Sequence, residues 1–332
     1  MRQQLGRTRH NMKWLTDVLG MGAVLLVLIA FFGIRCENFL TTTNFLAIAN
    51  QIPAAILIAV GMTLVLITAG IDLSVGSIVG LSGALLGLCL DRFGLPLVIS
   101  IPACLAMGAL CGLINGLVIV RWSLPPFIVT LGMLEAARGA TFLLTDSRTI
   151  YLGKKIGGMS SAGIGHVSSL FIMAIVAVAF GQILLNKSAF GRHVVALGSN
   201  EQTAYLSGIR TSGVKIAVYV LSGLLCALAA LVITARMASA NPNAGSGFEL
   251  EAIAAVVIGG TSLMGGRGSV VNSFFGVVII AILGSGLAQM GTEEATKRMI
   301  TGVVIVLAVI LDYYRTRLVA RQSVSRHDHG LG

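Results

Sequence analysis

The chain has 332 residues, 56% of them hydrophobic and 11% charged, with a formal net charge of +10. Soluble domains carry about 25% charged residues, so a soluble globular protein is excluded. A mean hydropathy of +0.92, spread over many windows of the roughly 20 residues that cross a bilayer, also excludes a soluble domain on a single anchor. The basic residues are scattered between apolar segments rather than gathered in a patch, which argues against nucleic acid as a partner and fits the positive charge that accumulates on the cytoplasmic side of membrane proteins.

Taken in order, the chain opens with Arg2, Arg7, Arg9 and Lys13, followed by an apolar run from Leu15 to Ile34. The run is long for a signal peptide and no small-x-small cleavage site follows it. It reads as a first span behind a cytoplasmic tail over residues 1–14. Further spans are expected at Phe45–Thr68, Ser74–Leu90, Leu95–Val120, Phe127–Thr145, Ser169–Leu185, Ile216–Ile233, Leu250–Leu263, Val270–Ala288 and Met299–Leu311. The eighth of these is short and is expected to be broken or tilted. Together they predict an all-α, polytopic membrane helical bundle of about ten helices. It forms one transmembrane domain over 15–314, with a tail over 315–332. Fourteen of the 23 Lys and Arg then fall in inside segments, eight fall outside, and Arg138 lies within a span. That bias places both termini, and the polar loop 186–215, in the cytoplasm.

Several motifs punctuate the spans. Asn50-Gln51-Ile52-Pro53 sits early in the second span, where Pro53 removes a helix hydrogen bond. It is either a broken helix lining a translocation path or a proline kink with Asn50 and Gln51 among lipid headgroups. Between the second and third spans runs Ala69-Gly70-Ile71-Asp72-Leu73-Ser74-Val75-Gly76-Ser77. Gly70 can end one helix and Asp72 or Ser74 can cap the next; the run is either a sharp capped turn at the cytoplasmic surface or an element with a direct role in gating or ATPase contact. Gly76, Gly80, Gly83 and Gly87 on the third span, and Gly108, Gly112 and Gly116 on the fourth, form close-packing faces of the kind membrane helices use. Leu124-Pro125-Pro126-Phe127 suits a helix start. Glu135 and Arg138, three residues apart, can pair on one helix; charges at membrane depth are either a structural ion pair facing the bundle interior or a substrate contact.

The polar loop 186–215 is patterned. Asn200 can cap a short helix starting at Glu201, Ala204 and Gly208 share one face, and Gly208 can terminate it. Such a helix is either a docking element for another protein or an ordinary interfacial helix. Later, Gly247-Phe248-Glu249-Leu250-Glu251 leads to Gly259-Gly260-Thr261 and Gly265-Gly266-Arg267-Gly268-Ser269, an irregular, glycine-rich element. The five cysteines form no CxxC pair, and His327-Asp328-His329 stands alone in the tail. No metal or other cofactor is expected. No GxxxxGK[ST] occurs, so ATP is not bound through a P-loop.

The run Gly191, Ala196, Gly198, Asn200, Ala204, Gly208, Ile209, Lys215, Tyr219, Ser222 and Gly223 resembles the cytoplasmic loop of bacterial ABC importer permeases of the ribose, xylose and galactose type. The stretches at 69–77, 124–139 and 247–269 also resemble that family. Ser199, Thr203, Leu231 and Asn272-Ser273 depart from its usual residues. The resemblance covers roughly residues 45–310. It implies a type II importer fold and a coupling helix at Asn200, Glu201, Ala204, Gly208 and Ile209 that docks on an ABC ATPase. It further implies a second permease chain, the same or related, and a periplasmic substrate-binding protein. The chain itself would supply a path for a sugar and break no bond. Two other classes are an ion-coupled secondary transporter, which needs buried carboxylates, and an intramembrane enzyme, which needs clustered His, Asp or Glu.

Overall fold

The computed structural model describes residues 20–310, except 162, 165, 166, 294, 298, 305, 308 and 309. The two tails, their arginines and the His327-Asp328-His329 run lie outside the described residues. The elements in order are α1 (Gly20–Arg35), α2 (Thr42–Gln51), α3 (Pro53–Ile67), α4 (Val75–Asp91), α5 (Leu97–Trp122), α6 (Pro126–Leu144), β1 (Ile150–Tyr151), α7 (Lys154–Ser161), β2 (Gly163–Ile164), β3 (Val167–Ser168), α8 (Ser169–Lys187), α9 (Ala189–Ser199), α10 (Glu201–Leu206), α11 (Thr211–Met237), β4 (Ser239–Ala240), α12 (Phe248–Ile258) and α13 (Val270–Gln289). A last stretch of chain is helical at residues 295–297 and beyond. The fold is an all-α membrane bundle. Its short strands only pair β1 with β4 and β2 with β3, both antiparallel.

The helix starts follow the local chemistry. Thr41, Ser168, Ser188 and Ser269 accept hydrogen bonds from the first turns of α2, α8, α9 and α13, which satisfies backbone donors that have no helical partner. Pro53 and Pro126 open α3 and α6, positions where a missing N–H is no loss.

Five helices, α5, α6, α8, α11 and α13, are long and apolar enough to cross a membrane; the bent pair α2 and α3 makes a sixth. Helices α1 and α4 are shorter apolar helices. Each expected window therefore meets a helix, and among the described residues five or six helices are long and apolar enough to cross a membrane. The eighth window holds nine of the eleven residues of α12, and its remaining residues 259–263 are non-helical.

At the centre α11 packs against α5, α3 and α4. Fourteen of the fifteen residues of α3 are buried, as a helix surrounded by others requires. By contrast α5, α6 and α8 bury one face each and turn Ile99, Leu113, Leu117, Phe127, Phe180 and Ile183 outward, an apolar surface suited to lipid. The glycines on α5 make the tightest contact. A Cβ at Gly108 or Gly112 would overlap the carbonyl oxygens of Gly223 and Tyr219, and one at Gly116 would lie 2.8 Å from Ile216 Cα. The two backbones touch there because no side chain intervenes. All five cysteines are free and buried.

Candidate functional site

The loop after α8 folds into two short helices. Asn200 Oδ1 accepts a hydrogen bond from Thr203 N at 2.8 Å and caps α10. At the other end Gly208 takes φ +84°, its N–H donates to Tyr205 O at 3.0 Å, and Ile209 N–H donates to Ala204 O at 3.1 Å. This pair of bonds is a Schellman motif, and the left-handed residue between them suits glycine. Lys215 Nζ pairs with Glu201 at 2.7 Å and ties the start of α10 to α11. The loop also grips the bundle. Gly198 lies against the carbonyl of Ile67 at the end of α3, with no room for a Cβ, and the same carbonyl accepts from Gly266 N at 2.8 Å.

The exposed face of α10 differs from the one expected. Ala204 is buried at 4% exposure and points into the chain, so it does not form an outward strip with Gly208. Successive residues of a helix lie about 100° apart, so the bundle can cover residue 204 while residues 205 and 206 turn away from it. The other five residues of α10 are exposed, and the large apolar ones among them are Tyr205 and Leu206, 67% and 77% exposed. The sequence reading missed both. Their signal was two large apolar side chains in an otherwise polar loop.

The turn at 69–77 also departs from expectation. Ala69, not Gly70, takes the left-handed conformation, with φ +59°. Gly70 is required for a different reason, since a Cβ there would lie 2.6 Å from the Tyr219 hydroxyl. Neither Asp72 nor Ser74 caps α4 with its side chain. Asp72 is fully buried. Its Oδ1 accepts from Ser74 N at 3.0 Å and Ser74 Oγ at 2.6 Å, and its Oδ2 accepts from Ser222 Oγ at 3.1 Å. Asn115 Nδ2 in turn donates to Ser74 Oγ at 2.9 Å. The Thr130 hydroxyl lies 3.1 Å from both Leu73 N and the Ile71 carbonyl. The turn is thus a buried knot joining α4, α5, α6 and α11 rather than a surface bend. Asn115 and Thr130 were missed; a polar residue inside an apolar span was the available signal.

The second span is broken as well. α2 and α3 meet at 48°, with Pro53 at the first position of α3. Asn50 Oδ1 accepts from Ser168 N at 3.0 Å, tying the break to the start of α8. Gln51 is exposed, and its carbonyl accepts from Arg236 Nη1 at 3.2 Å. A carbonyl left without its helical partner is thus satisfied by a cation from α11. Glu135 and Arg138 do not pair. Arg138 Nη1 instead donates to the carbonyls of Pro242 and Ala244, at 3.1 Å each. Glu135 is exposed. Among the described residues no group of His, Cys, Asp and Glu is arranged to hold a metal ion.

Broken spans, irregular chain inside the bundle, polar residues knotted at depth and a capped helical loop define the class: a multi-pass membrane transport protein. The chain matches, over residues 44–309, the family described as branched-chain amino acid transport system / permease component, and it belongs to that family. It is 39% identical to the ribose import permease protein RbsC of Escherichia coli (strain K12), over 92% of this chain and 97% of that protein. It is 42% identical to the RbsC of Bacillus subtilis (strain 168), over 93% and 97%. It is 37% identical to the fructose import permease protein FrcC of Rhizobium meliloti, over 90% and 85%. No solved structure matches the chain.

Proposed function

We propose that this chain is the membrane-spanning permease subunit of an ATP-binding cassette importer and forms the path for a monosaccharide or a related small polar solute. The observation that carries the reading is the family match together with a run of relatives named for the import of ribose, fructose, galactose and allose. The chain lacks a P-loop motif, so the reading assigns ATP hydrolysis to a separate cytoplasmic subunit. The complete importer would hold two permease chains, the same or related, an ATPase pair and a periplasmic binding protein, in a bacterial inner membrane with both permease termini cytoplasmic.

In this reading α10 is the coupling helix. Asn200, Glu201, Gly208 and Ile209 fix its shape, Ala204 seats it on the bundle, and Tyr205 and Leu206 enter the ATPase. The preceding helix α9, whose Gly198 and Ser199 lie against Ile67 and Gly266, supports the transmission of movement from α10 to α3 and to the element 259–269. The knot at Gly70, Asp72, Ser74 and Gly76 keeps α4, α5, α6 and α11 moving together as the bundle rocks between inward-open and outward-open states. Asn50, Gln51 and Pro53 lie beside the path. The test is reconstitution of the chain with its ATPase and binding protein in proteoliposomes. Uptake of labelled ribose, fructose or galactose that depends on both ATP and the binding protein is expected. Uptake driven by an ion gradient without the ATPase would sink the proposal.

A further inference from the structure

The segment 241–247, Asn-Pro-Asn-Ala-Gly-Ser-Gly, descends through the bundle beside α4. Ala240 packs where Gly87 lacks a Cβ, Ala244 O lies against Gly80, and Gly245 O lies against Gly76. Gly76 and Gly87 are eleven residues apart on one helix, or about 16 Å. From Ala240 to Gly245 the chain therefore follows α4 over a length equal to about half of a hydrocarbon core roughly 30 Å thick. Its backbone is non-helical, with Gly245 and Gly247 at φ +77° and +87°, and Arg138 holds two of its carbonyls.

Irregular backbone survives at this depth only when it is buried in protein or lines water. One side of the segment is buried, since Pro242 and Gly245 face inward. The other side is open and polar, carrying exposed Asn241, Asn243 and Ser246. The adjoining helix α6 has an exposed face of Gly132, Glu135, Ala136 and Gly139, spaced as one face of a helix. Nothing lies within 4 Å of a Cβ placed at either glycine. A carboxylate and three polar side chains do not face hydrocarbon. Such a side calls for water within the assembly rather than lipid.

We infer that segment 241–247 is the solute-contacting wall of the path, with Asn243, Ser246 and Glu135 meeting the hydroxyls of an uncharged polyhydroxylated solute as it passes. The inference rests on the permease reading. Amide, hydroxyl and carboxylate groups suit such a ligand, because together they offer donors and acceptors to hydroxyls. A segment pinned by Arg138 presents those groups without having to be ordered at each passage.

The test uses Asn243→Cys and Ser246→Cys in the complete importer in proteoliposomes, with Phe180→Cys on the outward face of α8 as the lipid-facing control. A charged, membrane-impermeant methanethiosulfonate is the probe. Labelling at 243 and 246 is expected to be at least about tenfold faster than at 180, to slow when solute and binding protein are present, and to abolish uptake while ATP hydrolysis continues. Labelling no faster than at 180, as when a second copy of the chain covers this face, overturns the inference. Fast labelling that leaves uptake intact overturns it too. Uptake by the unlabelled, unsubstituted importer is read in the same vesicles. Its presence alongside a negative labelling result rejects the wall alone, and its absence rejects the permease reading and the wall with it.

Discussion

Single residues in this protein act mostly through the space they leave or the polar atom they satisfy. Gly112 lies against the Tyr219 backbone with no room for a Cβ. Gly112→Leu is expected to lose at least the ~1–3 kcal/mol typical of overpacking, seen as a lower melting temperature and loss of the monodisperse protein in detergent. An unchanged melting curve would show that α5 and α11 can separate freely. Asp72 holds Ser74 and Ser222 with both carboxylate oxygens. Asp72→Asn converts one acceptor into a donor aimed at groups that already donate. A loss of about 1.5–3 kcal/mol, the range for hydrogen bonds to charged groups, is expected in thermal unfolding, with uptake falling in parallel. Should the variant melt like the parent, the knot contributes nothing to stability.

At the scale of elements, α10 is short and mostly polar, and an isolated helix of six residues is unstable in water. It persists because Asn200 closes one end, Gly208 and Ile209 close the other, and Lys215 anchors Glu201. If Tyr205 and Leu206 enter an ATPase, Leu206→Ser should weaken copurification of that subunit at least about tenfold while membrane insertion is unchanged. Gly208→Trp should do the same and also abolish uptake, because a bulky residue is strained at φ +84°. Glu201→Ala should matter less, since an exposed ion pair contributes little. Crosslinks from Cys at 205 or 206 that never reach an ATPase would remove the coupling role from α10.

At the scale of the whole molecule, the proposed orientation rests on the charge bias. With fourteen basic residues in inside segments against eight outside, both termini are expected in the cytoplasm. A reporter active only in the periplasm, fused after Gly332, should be silent, and one fused in the loop at Lys154 should be active. The opposite pattern would invert the bundle and carry the loop 186–215 to the outer side. The broken second span offers a further check at this scale. Cysteine at Gln51, whose side chain is exposed beside the 48° bend, should react with an aqueous thiol reagent faster than cysteine at Phe180.

Hydrophobic length, charge asymmetry and glycine spacing are local, so the sequence by itself determined the membrane class, the helical windows, the capped form of α10 and the close-packing faces. It also carried the likeness to sugar importer permeases. What it did not determine were the partners of polar groups far apart in the chain. Arg138 could be assigned to Glu135 three residues away, because nothing local reveals that the carbonyls of Pro242 and Ala244, more than a hundred positions later, lie within its reach. The burial of Ala204, the turn at Asp72 sealed by Asn115 and Ser222, and the descent of 241–247 along α4 were likewise decided by the tertiary structure. Within a bilayer every buried polar group must find a partner, and which partner is available depends on how whole helices stack, not on the residues beside it.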